Sequence, residues 1–314
     1  MTPQDIKSAL ALWGLENCPF ELIAQRENKV YRVTNLEGAS LALRVHRPEL
    51  RSDAQIISEL QIMQALDERG LRVPAPLKTL DGEHLVKIGD NQVDLLSWVD
   101  GYSMVDIPPS SRSDVFRRLG EVTANLHNNI DAWRPSSDFD RASWDRTGLI
   151  GAAPLWGAFW GNPSLNEDQR KIILAAKADI DSRLAEIESG LDYGLIHADM
   201  VRENVLIDNN NQIGLIDFDD CGFGFRAFEL ATILQAQMET PEYQKVKSAL
   251  LKGYVSKRAI NLEVIDMFIV LRSWTYLGWI IPKMNEPGSV DRNTRYVARC
   301  VRRAQQWLEG QPIC

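Results

Sequence analysis

The sequence is short of the residues that build metal cages and cross-links. Four cysteines and four histidines occur in 314 residues. Cys18, Cys221, Cys300 and Cys314 stand apart, with no CxxC or Cys/His spacing. This excludes a disulfide framework and a zinc centre, and a reducing, cytoplasmic setting is expected. Long apolar runs are missing too, even around Met267 to Ile281, so no bilayer span is expected. The opening MTPQDIKSALALWGLENCPF lacks the basic start and unbroken apolar stretch of a secretion signal. Basic residues are outnumbered, 35 against 43 acidic, for a net charge of -8. That balance argues against nucleic acid or an anionic membrane as partner. Internal repeats and low-complexity segments are absent as well.

With 45% hydrophobic and 25% charged residues, the chain has enough apolar side chains for a sizeable core divided between two lobes. After a short N-terminal helix, ELIAQRENKVYRV and SLALRVH read as two β-rich runs joined by a turn at Asn35 to Gly38. Ser52 to Arg69 reads as a helix: Ser52 and Gln55 have capping-box spacing, Ile56, Leu60, Met63 and Leu66 recur at helical intervals, and Gly70 ends it. VPAPL breaks the chain, and EHLVKIGD and QVDLLSWVDG follow as strands around Gly89 to Asn91. Beyond Gly101 helical patterns dominate at 110–127, 166–188, 228–237 and 262–281, with a further helix at the C-terminus and an ordered excursion from Trp133 to Pro163. The large exception is Tyr193 to Phe218. The expected fold is therefore α+β and bilobal. A small antiparallel-sheet N-lobe with one main helix (1–97) and a larger, mostly helical C-lobe (98–314) meet at a hinge near Ser97 to Gly101, and the cleft between lobes is the default ligand site.

The stretch richest in chemistry is GLIHADMVRENVLIDNNNQIGLIDFDD, Gly194 to Asp220. His197-x-Asp199-x-x-x-x-Asn204 is followed by two short apolar runs around the polar turn Asp208 to Gln212, and then by Asp217. A hairpin there would bring Asn204 beside Asp217. A side-chain carbonyl and a carboxylate converging on magnesium suit phosphoryl transfer, with Asp199 as the carboxylate that orients the acceptor hydroxyl. His197 is expected to order the loop.

These residues resemble the superfamily of aminoglycoside phosphotransferases, choline kinases and homoserine kinases, enzymes of the protein-kinase-like fold. That family's catalytic loop reads His-Gly-Asp with Asn five residues later, followed by Ile-Asp-Phe or Ile-Asp-Trp. Here the corresponding residues are His197-Ala198-Asp199, Asn204 and Ile216-Asp217-Phe218. Glu27-Asn28-Lys29-Val30-Tyr31-Arg32-Val33 resembles the hairpin that covers the nucleotide, Arg44 stands where a strand lysine contacts the phosphates, and Glu59 would be its helix partner. Leu126-His127 and Phe228-Glu229-Leu230-Ala231 resemble further family segments. The resemblance implies Asp199 as catalytic base and Asn204 and Asp217 as metal ligands. It also implies Asn28, Arg44, Glu59, Ser97 and Val99 around the nucleotide, and Mg2+ with ATP, GTP remaining open. Glu59 is also singled out by periodicity, because it falls inside the apolar arc of its helix and should seek a cation. Two departures stand out: Arg44 replaces lysine, and no glycine lies between Leu22 and Val33.

The expected partners are ATP and a small hydroxylated acceptor, an aminoglycoside, an amino-alcohol or a hydroxy amino acid such as homoserine, bound by a monomer or homodimer. ENKVYRV, LRVHRPE, SDAQIISE and IDFDD are also similar to bacterial stress-response kinases, which leaves a protein Ser/Thr kinase open. A catalytically silent nucleotide-binding scaffold stays open through Arg44. Asp219, Glu229, Trp156, Trp160, Trp274 and Trp279 are candidate acceptor contacts, since carboxylates and aromatic faces both attract an ammonium group. For the tryptophans the competing reading is helix core. His46, His84 and His127 read as structural or exposed.

Overall fold

The computed structural model describes residues 1–25 and 28–313. The chain begins with α1 (Pro3–Ala11), β1 (Phe20–Gln25), β2 (Lys29–Thr34), β3 (Ser40–Val45) and α2 (Asp53–Asp67). Next come β4 (Leu85–Ile88), β5 (Asn91–Ser97), β6 (Tyr102–Ser103), α3 (Arg112–Asp131), β7 (Ser143–Trp144), α4 (Arg146–Ile150) and α5 (Glu167–Ile187). The remainder is β8 (Tyr193–Ile196), β9 (Val205–Ile207), β10 (Ile213–Leu215), β11 (Gly222–Phe225), α6 (Arg226–Leu234), α7 (Tyr243–Val255), α8 (Ile265–Trp279) and α9 (Ser289–Leu308). Two compact units result. One holds Met1–Met104, Asn129–Arg141 and Val205–Asp219, the other Val105–Asn128, Ala142–Asn204 and Asp220–Cys314. Among the described residues, no helix is long and apolar enough to cross a membrane.

In the first unit five antiparallel strands lie in the order β1-β2-β3-β5-β4. The run expected as one strand from Glu21 to Val33 is two, β1 and β2, each six residues long, which is the usual strand length. Alternation along the sheet turns Val33, Leu43, Val45, Val93 and Leu95 towards Ile6, Ala9 and Leu10 of α1. Trp13 fixes that helix by donating to the Leu77 carbonyl at 2.9 Å. The expected capping box of α2 is present: Ser52 Oγ accepts from Gln55 N, and Gln55 Oε1 accepts from Ser52 N. Its apolar stripe is buried, and Gly70, at φ +77°, lies just past its end.

The same unit contains the β9-β10 hairpin, in which Val205 pairs with Leu215 and Ile207 with Ile213. Asp208 closes its turn by accepting from the amides of Asn210 and Gln212, both at 2.8 Å. β6 adds to the far edge of β9. A side chain on Gly101, at φ +145°, would put its Cβ 2.9 Å from the Ile207 carbonyl oxygen, so only glycine fits there.

The second unit is built around α8, which is buried along nearly its whole length and packs on α6 and α9. A helix apolar on all sides belongs in a core. α5 starts with its own capping box, Asn166 with Gln169, and packs on α9. β11 lies between β8, antiparallel, and β7, parallel. α7 had no counterpart among the expected helices.

Candidate active site

β8 delivers the chain into the loop His197 to Asn204. Ala198 adopts φ +65°, a conformation L-residues avoid and glycine adopts freely. It is held there by a bond from its amide to Glu229 Oε2 at 2.8 Å. His197 is buried, and its Nδ1 accepts from the Asp199 amide at 3.3 Å. That bond requires the tautomer whose Nδ1 carries no proton.

Asp199 is half-buried and held at both oxygens. Oδ1 accepts from Arg272 Nη2 at 2.9 Å, and Oδ2 accepts from Asn204 Nδ2 at 3.2 Å. Asn204 Nδ2 also donates to the Asp199 carbonyl at 2.9 Å. With its nitrogen committed in this way, the Asn204 amide turns its Oδ1 away from Asp199 as a hard oxygen donor. Arg272, on α8, has no exposed surface. Its guanidinium carbon lies 4.7 Å from the Trp156 ring centre and 4.5 Å from that of Tyr276, and Nη1 donates to Thr275 Oγ1 at 2.6 Å.

Behind the loop lies Glu229, completely buried on α6, whose Oε1 has no hydrogen-bond partner. Burial pushes its carboxyl up to about 7, against the opposing pull of the Ala198 amide and the Arg226 charge. Glu229 therefore braces the 197–204 loop from inside and offers no surface to an acceptor, a correction to its candidacy as a substrate contact. His127 is likewise a core residue. Its Nδ1 lies 2.8 Å from the Tyr254 hydroxyl, and burial, with Arg226 and Arg258 nearby, drives its pKa well below the usual histidine value.

In the first unit Arg44 meets the expected Glu59, Nη1 donating to Oε1 at 2.6 Å. It also forks onto Asp94 of β5, through Nε to Oδ1 at 2.9 Å and Nη2 to Oδ2 at 2.8 Å. His46 Nε2 lies 2.7 Å from Asp94 Oδ2. All four side chains are buried. Asn28 is half-buried between β1 and β2, whereas Glu27 of the same motif lies outside the described residues. Ser97 ends β5 with its amide bonded to the Ala75 carbonyl and its Oγ accepting from the Ala75 amide, each at 2.8 Å. Val99 is half-buried against Gly214, where an added Cβ would fall 2.6 Å from Val99 Cγ1. Asp217 is exposed at φ +67°, in the left-handed region, which aspartate tolerates better than most non-glycine residues. Arg51 Nη2 and Arg141 Nη2 both donate to the Asp219 carbonyl, and Arg51 Nη2 stands 3.5 Å from Asp219 Oδ2. Asp219 is thus a loop residue tied down by arginines.

The four candidate tryptophans already have occupants. Trp274 is fully buried and stacked on Phe159 with ring centres 4.9 Å apart, so it packs the core and presents no face to an acceptor. The other three each carry a cation of the protein: Arg272 on Trp156 at 4.7 Å, Lys177 on Trp160 at 5.1 Å and Lys283 on Trp279 at 3.7 Å. An ammonium-bearing acceptor would have to displace or avoid these charges.

Sequence reasoning missed Arg272 and Asp94. The signal for each was a lone charge in an apolar run, Arg272 within MFIVLRSW and Asp94 within QVDLLS, since a buried charge requires a partner.

The chain carries a loop aspartate held at both oxygens, an asparagine five residues on and an aspartate just beyond a short hairpin, and its relatives make it a phosphotransferase acting on hydroxyl groups. The sequence pattern of the phosphotransferase enzyme family matches residues 20–261, and the chain belongs to that family of small-molecule phosphotransferases. A homoserine kinase of Chelativorans sp. (strain BNC1) is 27% identical over 82% of this chain and 77% of its own length. A protein of Deinococcus radiodurans is 28% identical over 88% of this chain and 81% of its own. Among solved structures, a microcompartment-associated aminopropanol kinase superposes with a TM-score of 0.86 at 26% identity, covering 100% of this chain and 99% of that one. An amicoumacin kinase, solved in complex with AMP-PNP, Ca2+ and Ami, gives 0.77 at 20% identity over 99% and 94%. The fold is thus α+β and protein-kinase-like.

Proposed function

We propose that this enzyme transfers the γ-phosphate of ATP, with Mg2+, to the hydroxyl of a small amino-bearing alcohol, an amino-alcohol or a hydroxy amino acid. The observation that carries the reading is the clamp on Asp199, whose two oxygens are fixed by Arg272 and Asn204. Each carboxylate oxygen accepts two hydrogen bonds, so a lone pair remains for the acceptor O–H. Asp199 takes that proton as the acceptor oxygen bonds to the γ-phosphorus and the bond to the β-phosphate oxygen breaks, leaving ADP. The step needs little covalent chemistry and depends on alignment.

Asn204 Oδ1 and the Asp217 carboxylate would hold the metal. Support comes from chain continuity: Val205 pairs with Leu215, and Asn204 and Asp217 lie one residue before and two residues after that pair. An amide and a carboxylate oxygen fit magnesium, which takes one or two protein ligands and completes its shell with phosphates and water. Among the described residues no group of three or more His, Cys, Asp or Glu forms a cage of its own. When bound, the ion neutralises charge building up on the phosphates. For the acceptor, the aminopropanol kinase and the homoserine kinase point the same way, because both named substrates carry an amine and a hydroxyl on a short chain.

The test is transfer from labelled ATP to a panel of 1-amino-2-propanol, ethanolamine, choline, L-homoserine, spectinomycin and casein. Mg2+-dependent labelling of one of the small amines is expected, abolished in Asp199→Ala. Labelling of casein alone would replace this reading by a protein kinase, and full activity of Asp199→Ala would reject the base.

A further inference from the structure

We propose that Arg272 is the positioning residue of the transfer site, holding Asp199 in the one orientation that meets the acceptor hydroxyl. The inference rests on Asp199 being the base.

Arg272 sits in the interior of α8 with no exposed surface, and a charge so placed is tolerated only when paired and hydrogen-bonded. Its guanidinium spends Nη2 on Asp199 Oδ1 and Nη1 on Thr275 Oγ1. Trp156 and Tyr276 wall the guanidinium at 4.7 and 4.5 Å, with Phe228 further off at 5.9 Å. Those walls are themselves backed: Trp156 meets Trp144 edge-on at 5.5 Å, and Tyr276 stacks on Tyr296 at 5.3 Å. The guanidinium therefore has little freedom to turn, and that rigidity passes to the carboxylate it grips. Asn204 Nδ2 grips the other oxygen at 3.2 Å. Two donors on two oxygens fix the plane of the carboxylate, which a single donor would leave free to rotate. Lysine, a point charge on a flexible stem, offers no planar fork to bridge Asp199 and Thr275 while lying against two rings. A purely architectural arginine would need no such alignment, since the charge would be as well compensated by any carboxylate.

The experiment is a double-mutant cycle. Arg272→Lys and Arg272→Met are each made alone and in an Asp199→Asn background. Turnover of ATP is measured with 1-amino-2-propanol, with L-homoserine and with water as acceptor, so a rate is available whichever acceptor is used. Misplacing a reacting group by about 1 Å costs on the order of 100-fold. Arg272→Met should therefore lower kcat by about that factor, and Arg272→Lys by less, with KM for ATP held within about twofold. In the Asp199→Asn background neither change should lower the residual rate further. Equal losses in both backgrounds would make Arg272 a packing residue and overturn the proposal, as would wild-type kcat in Arg272→Met. Wild-type kcat in Asp199→Asn would instead remove the base assignment. Should Arg272→Met melt below the assay temperature, Arg272→Lys decides by the same cycle.

Discussion

Arg44 on β3 stands directly opposite Asp94 on β5, and the guanidinium fork closes on that carboxylate through two hydrogen bonds of 2.9 and 2.8 Å. Burial works against the charge, but Asp94 and then Glu59 outweigh it and hold the arginine's pKa well above its ordinary value. The pair explains why arginine occupies a position where the family resemblance leads one to expect lysine. One ammonium cannot fork onto Asp94 and still reach Glu59. The substitution and the extra carboxylate are two halves of one arrangement.

Asp94→Asn should be costly for the same reason, because it removes half of the compensation from a buried arginine. Breaking one partner of a buried ion pair costs about 3–5 kcal/mol, and urea denaturation should show a loss of that order. A loss under about 1 kcal/mol would mean that Glu59 alone suffices for Arg44.

Much of this was legible in the sequence, and for physical reasons. Glu59 interrupted an apolar arc, and a buried carboxylate dictates a cation; the spacing of Ser52 and Gln55 fixed where α2 begins. The Asn-rich turn at 208–212 left little choice but a hairpin. Arg272 and Asp94 were illegible as site residues because their partners come from distant chain segments: Arg272 lies 73 positions from Asp199 and Asp94 lies 50 from Arg44. Local pattern flags the buried charge without naming what it meets. The tryptophans failed for the opposite reason. An aromatic face suits an internal cation as well as a ligand, and composition cannot tell Lys177, Arg272 or Lys283 from an ammonium substrate.

Glu229 predicts a pH dependence of stability. Its carboxyl ionises near 4.5 when unfolded and near 7 in the native loop. The native state therefore holds the proton more tightly. The penalty is absent below pH 4.5, grows as the pH rises to 7 and is complete above that. At about 1.4 kcal/mol per pH unit it reaches on the order of 3 kcal/mol. Glu229→Gln keeps an oxygen for the Ala198 amide and cannot ionise. It should flatten the change in melting temperature between pH 5 and pH 8, and an unaltered slope would show that another group titrates.

The thiols should be inert in the native state. Cys18, Cys221 and Cys300 are buried, and burial pushes Cys300 up to about 11 while its Sγ bonds the Ser273 carbonyl at 3.2 Å. Reaction needs an exposed thiolate. In Cys314→Ser, Ellman's reagent should label nothing within minutes until denaturant is added; prompt labelling would place one of the three in an open site.

Gly253 offers a prediction in which two effects have opposite signs. It lies in α7, where alanine is intrinsically favoured over glycine by about 1 kcal/mol. Yet its would-be Cβ falls 1.8 Å from the Arg117 carbonyl oxygen on α3. Gly120 on α3 faces the same seam, its Cβ position 2.1 Å from the Leu250 carbonyl oxygen. The two helices touch backbone to backbone, so neither side chain can be accommodated by a rotamer change and α7 must move away. That shift would also stretch the 2.8 Å bond from the neighbouring Tyr254 to buried His127. Overpacking costs about 1–3 kcal/mol, and with a contact this close it should exceed the propensity gain of about 1 kcal/mol, making Gly253→Ala a net loss of up to about 2 kcal/mol by urea denaturation. A stabilised Gly253→Ala would mean that α3 and α7 do not approach so closely.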